Sequence, residues 1–425
     1  MIPTYEDGGL RLWHGPNMEI LPTFPDASFD SIVTDPPYEL GFMGKGWDSS
    51  GIAYDVDVWR ECLRVLKPGG HLLAFGGSRT WHRMAVAIED AGFEMRDSIA
   101  WLYGQGFPKS VPVAVEGWEG WGTALKPAFE PIVMARKPFR GTVAANVVAY
   151  GTAALNIDAN RIPTGDKLTG GHGTAGQQMS DGWSRPWMSD PDAVAANAAR
   201  ARAAQAKAEA LGRHPANVVL DQSQAEALDE QTGVLTSGVM KARTNREARK
   251  GGSVYGADKR NILAGDTYGD SGGASRFFTT IKEEPCVTST ANAISPTATS
   301  ATSAKPAPSG TAKPAPAAAD SGDTRFPTFR YEAKAPTSER PNVEGTVHAT
   351  VKPLALIRWL VRLVTRPGGR VLDLYAGSGT TGEAALLEGM EVDLIELEEA
   401  HLPLILARVR KPLHPAMFGD WEDAS

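Results

Sequence analysis

Four consecutive residues, Asp35-Pro36-Pro37-Tyr38, carry the sharpest chemical signal in the chain. They follow the apolar strand candidate Ser31–Thr34. Two prolines in a row lack the N–H that a sheet ladder needs, so they end the strand in a rigid, extended turn. At the carboxyl edge of an open α/β sheet, such a turn faces the place where ligands bind. Asp35 and the Pro36 carbonyl become fixed acceptors, and Tyr38 a flat stacking surface. Two acceptors and one aromatic face suit a planar base that carries an amino group. A Pro-Pro turn alone is a common structural device. The Asp before it, the Tyr after it and the strand in front carry the functional reading.

A second signal lies near the other end of the chain. Asp373-Leu-Tyr375-Ala-Gly377-Ser-Gly379-Thr380-Thr-Gly382 follows the strand candidate Val371–Leu374 and opens a helix through Leu387. Glycines allow a tight turn and a close approach of backbone to ligand. Glu396 ends the next strand, 14 residues past Gly382. An acid there can accept hydrogen bonds from ribose hydroxyls. Gly377, Gly379 and Gly382 also fit G-x-G-x-x-G, which does not separate NAD from other adenosine-containing cofactors. A structural strand–turn–helix gives the same spacing.

Both motifs need strands and helices to hold them. Short apolar runs at Ser31–Asp35, His71–Phe75, Ser98–Leu102, Pro131–Ala135, Val371–Leu374 and Val392–Glu396 read as buried strands. Helical patterns alternate with them, which implies a parallel sheet covered by helices. The helix over 353–365 starts on Pro353 and carries an apolar stripe at Leu354, Ile357, Val361 and Val364. Lys67-Pro68-Gly69-Gly70 and Arg366-Pro367-Gly368-Gly369 read as matching turns, each after a helix and before a strand. Residues from about 141 to 330 are poorer in large apolar side chains. There an Ala-rich helix, Asp192–Leu211, has Asp192 as its expected cap and Gly212 as its stop. Residues 287–319 hold no aromatic and no acid, and read as disordered. One α/β unit built from both ends, with a long insertion, is the expected organisation.

Composition excludes several classes. The chain has 425 residues, 42% hydrophobic and 22% charged, which is ample for a core. Its net charge of −7 argues against coating nucleic acid through bulk charge. Locally the balance reverses: Thr236–Arg260 holds seven bases and two acids, a net of +5 that suggests phosphate contacts. Lys241, Arg243, Arg246, Arg249 and Lys250 are the candidate DNA-binding residues, with a solvated surface run as the plain alternative. No run of 18 apolar residues exists, and the first residues lack signal-peptide character. Cys62 and Cys286 allow neither a disulfide framework nor a four-thiolate zinc site. A cytoplasmic, metal-free protein is expected.

Together the two motifs resemble the amino-methyltransferases that act on exocyclic nitrogens of DNA bases, N6 of adenine or N4 of cytosine. In that family DPPY is the catalytic motif, and the aromatic-x-G-x-G loop binds S-adenosylmethionine. DPPY first, a variable region, then the glycine loop looks like the circularly permuted β class. Further phrases carry the likeness: GFMGKGWD (41–48), LKPGGHLLAFGG (66–77), EPIVMARKP (130–138) and HATVKP (348–353). GTALKPAFEPIVMARKP, RHPANVVLD and RYEAKAPTSER resemble stand-alone members from bacteria and phages. The resemblance covers roughly residues 10–140 and 324–425.

That resemblance implies a Rossmann-like α/β methyltransferase with a mostly parallel seven-stranded sheet and an inserted target-recognition region. It makes 1–140 the catalytic half, 141–323 the recognition insertion and 324–425 the cofactor-binding half. By position, Asp35 and the Pro36 carbonyl hold the target amino group, Pro37 stiffens the turn, and Tyr38 stacks on a flipped base. Asp373, Tyr375, Gly377, Gly379 and Thr380 line the cofactor site, and Glu396 binds the ribose. Thr350, Lys352 and Pro353 lie near the methionine end of the cofactor. Double-stranded DNA is the implied partner; a homodimer is one candidate assembly, which the sequence does not decide. Asp before PPY is more usual for adenine, and Ser for cytosine. Two departures stand out. His14-Gly15-Pro16-Asn17 stands where relatives commonly have Gly-Asp; if that acid helps bind the cofactor's adenine, either Asn17 substitutes for it or the contact is lost. HATVKP replaces HPTVKP.

Competing chemistries make different demands. Methylation at cytosine C5 needs a cysteine nucleophile. Cys62 lies in an amphipathic helix, and Cys286, which follows Pro285, lies beside the disordered insertion rather than directly at the end of a strand candidate. A nicotinamide oxidoreductase would leave DPPY unexplained and its fingerprint too near the C-terminus. A catalytically silent DNA-binding scaffold would not need both motifs intact. RNA or protein-amide enzymes more often carry Asn before PPY.

Overall fold

The structure, a computed structural model, describes residues 2–40, 49–104, 110–164, 190–236, 271–282, 335, 339–348 and 350–411. Its centre is one large sheet. Five parallel strands form the middle: β2 (Leu10–His14), β14 (Glu391–Glu396), β13 (Arg370–Asp373), β3 (Phe29–Thr34) and β4 (Leu66–Phe75). Beyond β4, β6 (Phe129–Arg136) runs antiparallel, and β5 (Glu94–Leu102) runs antiparallel to β6. Every strand expected from the sequence is present.

The sheet has ten strands where seven are expected. The run from β2 to β5 accounts for seven. At one edge β1 (Tyr5–Asp7) adds a hairpin partner to β2. At the other edge β7 (Val218–Asp221) pairs parallel with β5, and β10 (Thr279–Ile281) pairs with β7. These last two come from the insertion. They cover backbone groups of β5 that would otherwise form a bare edge. Two short antiparallel pairs stand apart, β8 (Leu235–Thr236) with β9 (Ser271–Gly272), and β11 (Asn342–Val343) with β12 (Thr346–Val347).

Strand alternation fills two cores. Ile32, Leu72 and Leu372 point to one face, against Val58, Trp59 and Cys62 of α2 (Val56–Val65) and Met84 and Ile88 of α3 (Trp81–Asp90). Val33, Leu73 and Val371 point to the other, against Ile357, Leu360 and Val361 of α7 (Leu354–Val364). Side chains buried this completely each stabilise by about 1.5–3 kcal/mol. Pro353 caps α7 as expected. Arg358 and Arg362 on its polar side both bind Glu388, at the end of α8 (Thr380–Leu387).

Two local expectations are corrected. Residues 67–70 are not a turn but part of β4, where the register jumps from Phe29↔Leu66 to Ser31↔His71. The buried Asp30 explains it: Lys67 Nζ lies 2.8 Å from its Oδ2, and Arg370 N–H donates to the same oxygen at 2.9 Å. The first look-alike phrase and the residue just after the second therefore lie against one carboxylate. The Ala-rich helix α5 runs Pro191–Leu211 and is capped by Asp190, whose Oδ1 accepts from Asp192 N–H at 2.9 Å. Residues 41–48 and 287–319 lie outside the described residues.

Candidate active site

β3 ends at Thr34, and Asp35 begins the turn at its carboxyl edge. Oδ2 of Asp35 accepts from Lys352 Nζ. Oδ1 of Asp35 is shielded from solvent and has no hydrogen-bond partner among the described residues. Three residues on, the Tyr38 hydroxyl donates to Glu130 Oε2 at 2.9 Å, and its carbonyl accepts from the Thr80 hydroxyl at 2.7 Å. Gly77 lies so close to the Tyr38 ring that an added Cβ would come within 3.3 Å of it.

The glycine turn leaves β13, the strand beside β3. Asp373 is buried and accepts from the Thr34 hydroxyl at 2.7 Å and from Tyr375 N–H at 3.1 Å. Burial pushes its carboxyl up to about 6, against the opposing hydrogen bonds from Thr34, Thr381 and Tyr375 N–H. Glu396 ends β14 and braces the turn: its Oε2 accepts from Gly377 N–H at 2.7 Å. Its Oε1 accepts from Glu398 N–H at 2.9 Å and faces His401 Nδ1 at 3.1 Å. The His401 ring packs edge-on against His348, centroids 4.7 Å apart. Gly379 caps α8 with φ +79°, a left-handed conformation that favours glycine. At Gly382 a Cβ would meet Leu394 at 2.7 Å, so this third glycine lets α8 lie close on the sheet.

Both turns open into one cavity of about 540 Å³, the size of a small-molecule site (roughly 300–1,000 Å³). Asp35, Pro36, Pro37, Tyr38, Asp373, Tyr375, Gly377, Thr380, Glu396, Thr350 and Lys352 all line it. Gly379 and Pro353 lie behind it, as helix caps. Asn17, the substitute for the usual acid, is buried and lines the wall. Cys62 is buried in α2 outside the cavity, and burial pushes its thiol up. It offers no nucleophile there.

A family model described as DNA methylase matches residues 29–407. The chain belongs to this family. M.HindIII, a type II methyltransferase of Haemophilus influenzae, is 33% identical over 116 residues, 24% of this chain and 38% of that protein. M.HpaI of Haemophilus parainfluenzae, another type II methyltransferase, is 32% identical over 99 residues, 22% and 32% of the two lengths. The chain thus matches about a third of each of these relatives. A solved structure of the cytosine-N4-specific PvuII DNA methyltransferase superposes with a TM-score of 0.42 at 13% identity, over 97% of this chain and 90% of the other.

In this member of the family the cavity contains residues that the motifs do not announce. Glu130 at the start of β6 is 3% exposed and holds Tyr38. His348 and His401 brace the glycine turn. Burial lowers the proton affinity of His348, while the bond to Glu396 raises that of His401. The phrases EPIVMARKP and HATVKP contained Glu130 and His348, but only as likenesses. Lys241, Arg243, Arg246, Arg249 and Lys250 lie outside the described residues. Among the described residues no group of His, Cys, Asp and Glu is arranged to hold a metal, and no helix is long and apolar enough to cross a membrane.

Proposed function

We propose that this chain methylates the exocyclic N6 of adenine in double-stranded DNA, with S-adenosylmethionine as donor. The observation that carries the reading is the meeting of the Asp35–Tyr38 turn and the Gly377–Gly379 turn in one cavity. The cavity fits an adenosine-containing group. Glu396 already accepts three contacts, yet a carboxylate offers about four lone-pair sites, so acceptor capacity remains for ribose hydroxyls. Asp373, Tyr375, Gly377, Gly379, Thr380 and Glu396 would hold the group, with Asn17 on the adenine side.

S-adenosylmethionine supplies a methyl group on a positively charged sulfur. An exocyclic base amine is a weak nucleophile because its lone pair is conjugated into the ring. Asp35 and the Pro36 carbonyl accept its two N–H groups and so favour a lone pair turned toward the methyl. Once the amine nitrogen has taken up the methyl group it carries one proton too many, which would pass to Asp35 or to solvent. Alignment supplies much of the acceleration. The target must leave the duplex to reach this cavity, and Tyr38 stacks on it there.

Adenine is preferred because Asp35 stands before the PPY triplet. N4 of cytosine is the second reading, since the same acceptors serve either amine. Incubation with labelled S-adenosylmethionine and duplex DNA, followed by nucleoside analysis, decides it. N6-methyladenine is expected, and dominant N4-methylcytosine would overturn the preference.

Recognition of DNA is assigned to 141–323, between a catalytic half at 1–140 and a cofactor half at 324–425. Neutralising Arg243, Arg246 and Arg249 should weaken DNA binding and reduce its salt slope. Unchanged salt dependence would remove this assignment. A stand-alone enzyme in the cytoplasm of a bacterium or phage-infected host, possessing a homodimeric form, completes the proposal.

A further inference from the structure

Lys352 belongs by sequence to the segment expected at the cofactor's methionine end, and its ammonium reaches the Asp35–Tyr38 turn. It binds Asp35 Oδ2, lies 3.6 Å from Glu130 Oε2, and faces the rings of Tyr38 at 5.2 Å and Phe75 at 4.9 Å. The residue is 7% exposed. We propose that Lys352, locked in place by Glu130, is a positioning residue for Asp35 and Tyr38 on the target-amine side of the cavity. The inference rests on the reading of this cavity as an amino-methyltransferase site.

An aspartate carboxylate rotates over a broad range about its last torsion. A lone Asp35 would therefore present its acceptors in many directions. Lys352 fixes Oδ2, and the pattern of contacts leaves Oδ1 shielded and unpartnered. A shielded acceptor without a donor calls for an explanation, and an incoming amine N–H supplies one. Lys352 needs its own anchor, because an ammonium on a four-carbon stem is flexible. Glu130 is that anchor, a buried carboxylate on β6 facing the ammonium. The same Glu130 oxygen accepts the Tyr38 hydroxyl. One carboxylate thus ties the acceptor and the stacking ring of a single turn to a rigid strand.

The full-length chain carrying K352M, K352R, E130Q or both E130Q and K352M tests this inference. Three measurements apply: steady-state DNA methylation, calorimetric titration with S-adenosylmethionine, and thermal unfolding. In K352M, kcat should fall about 100-fold while the S-adenosylmethionine Kd stays within about twofold, as expected for lost alignment rather than lost binding. K352R should regain part of that loss. E130Q should lower kcat about tenfold with cofactor binding kept, because it frees the lysine without removing it. The double variant removes both buried charges, so it guards against unfolding caused by an unpaired glutamate, and it should keep the kcat defect of K352M. Weaker cofactor binding by tenfold or more, with kcat intact at saturating cofactor, would overturn the inference. So would a double variant as fast as the wild type. A wild-type chain that methylates no exocyclic nitrogen would instead overturn the underlying reading, and the inference with it.

Discussion

The turns after β3 and β13 leave neighbouring parallel strands, with Val371 opposite Ser31, at the same edge of the sheet. They are built from opposite materials. The first is stiffened by Pro36 and Pro37 and held by side chains from distant parts of the chain, Lys352 and Glu130. The second is loosened by Gly377 and Gly379, and a side chain holds it by its backbone: Glu396 accepts the Gly377 N–H. On the proposed function, the difference follows from what each turn would present. Side-chain acceptors aimed at one small amine need a backbone that cannot move. A wall that follows a large ligand needs backbone without side chains in the way.

If that division holds, damage to the two turns should separate into rate and affinity. Asp35→Ala should give the largest effect, a fall of about 10²- to 10⁴-fold in methyl transfer, the usual range for a group acting on the reacting atoms. S-adenosylmethionine binding, followed by calorimetry, should persist. An equal loss of binding and rate would break the comparison. Gly379→Ala should do the reverse. Its φ of +79° and a Cβ 3.1 Å from Ile405 both oppose a side chain. Cofactor affinity should drop roughly tenfold, the equivalent of about 1.4 kcal/mol. At saturating cofactor the rate should largely return.

The same contrast explains what could be read without coordinates. The glycine turn is local: strand, turn, helix and the acid of the next strand all lie between Val371 and Glu396, so periodicity and spacing reveal them. The proline turn is local only in its four residues. Lys352 is 317 positions from Asp35, and Glu130 is 92 from Tyr38. Nothing in a strand beginning Phe-Glu-Pro tells that it runs antiparallel between β4 and β5, which is what brings Glu130 to the catalytic edge. The partners of Lys352 were hidden for the same reason. A likeness locates a segment, and packing decides where its side chain goes. Strands β7 and β10 were missed because they are four and three residues long, too short for alternation to register. Residues 67–70 misled because Pro and Gly mark a break in regular structure without saying whether the chain turns or bulges.

Asp373 stands between the two turns and offers a sharper test. Its carboxyl is raised from 3.8 to about 6 by burial, so ionisation is less favourable in the folded chain than in the unfolded one. Stability associated with the neutral form is complete below 3.8 and is lost as pH rises through about 6. Asp373→Asn keeps an oxygen to accept from Thr34 and Tyr375 N–H and cannot ionise. The unliganded variant should match the wild type near pH 3.5 and exceed it near pH 7 by on the order of 1–3 kcal/mol. Thermal melts across that range measure the difference. A gap independent of pH would show that hydrogen-bond geometry, not charge, dominates at Asp373.

The smallest expected effect concerns His401, which helps hold the glycine turn through Glu396. That bond raises its proton affinity above the ordinary value of 6.5, against some burial. A histidine raised in the folded state stabilises fully below its unfolded value, and the contribution disappears as pH rises through the higher folded value. His401→Gln retains a polar side chain but no charge. The wild type should therefore be more stable than the variant at pH 6 by about 0.2–1 kcal/mol, the scale of a partly exposed ion pair. That advantage should vanish by pH 8.5. S-adenosylmethionine binding should follow the same pH course in the wild type and lose part of it in the variant, because Glu396 lines the cavity and its Oε1 faces His401. Asp35→Ala, which touches the opposite turn, should leave that pH course intact. If instead Asp35→Ala flattens the pH course of cofactor binding, the two turns are coupled through Asp373 and work as one site.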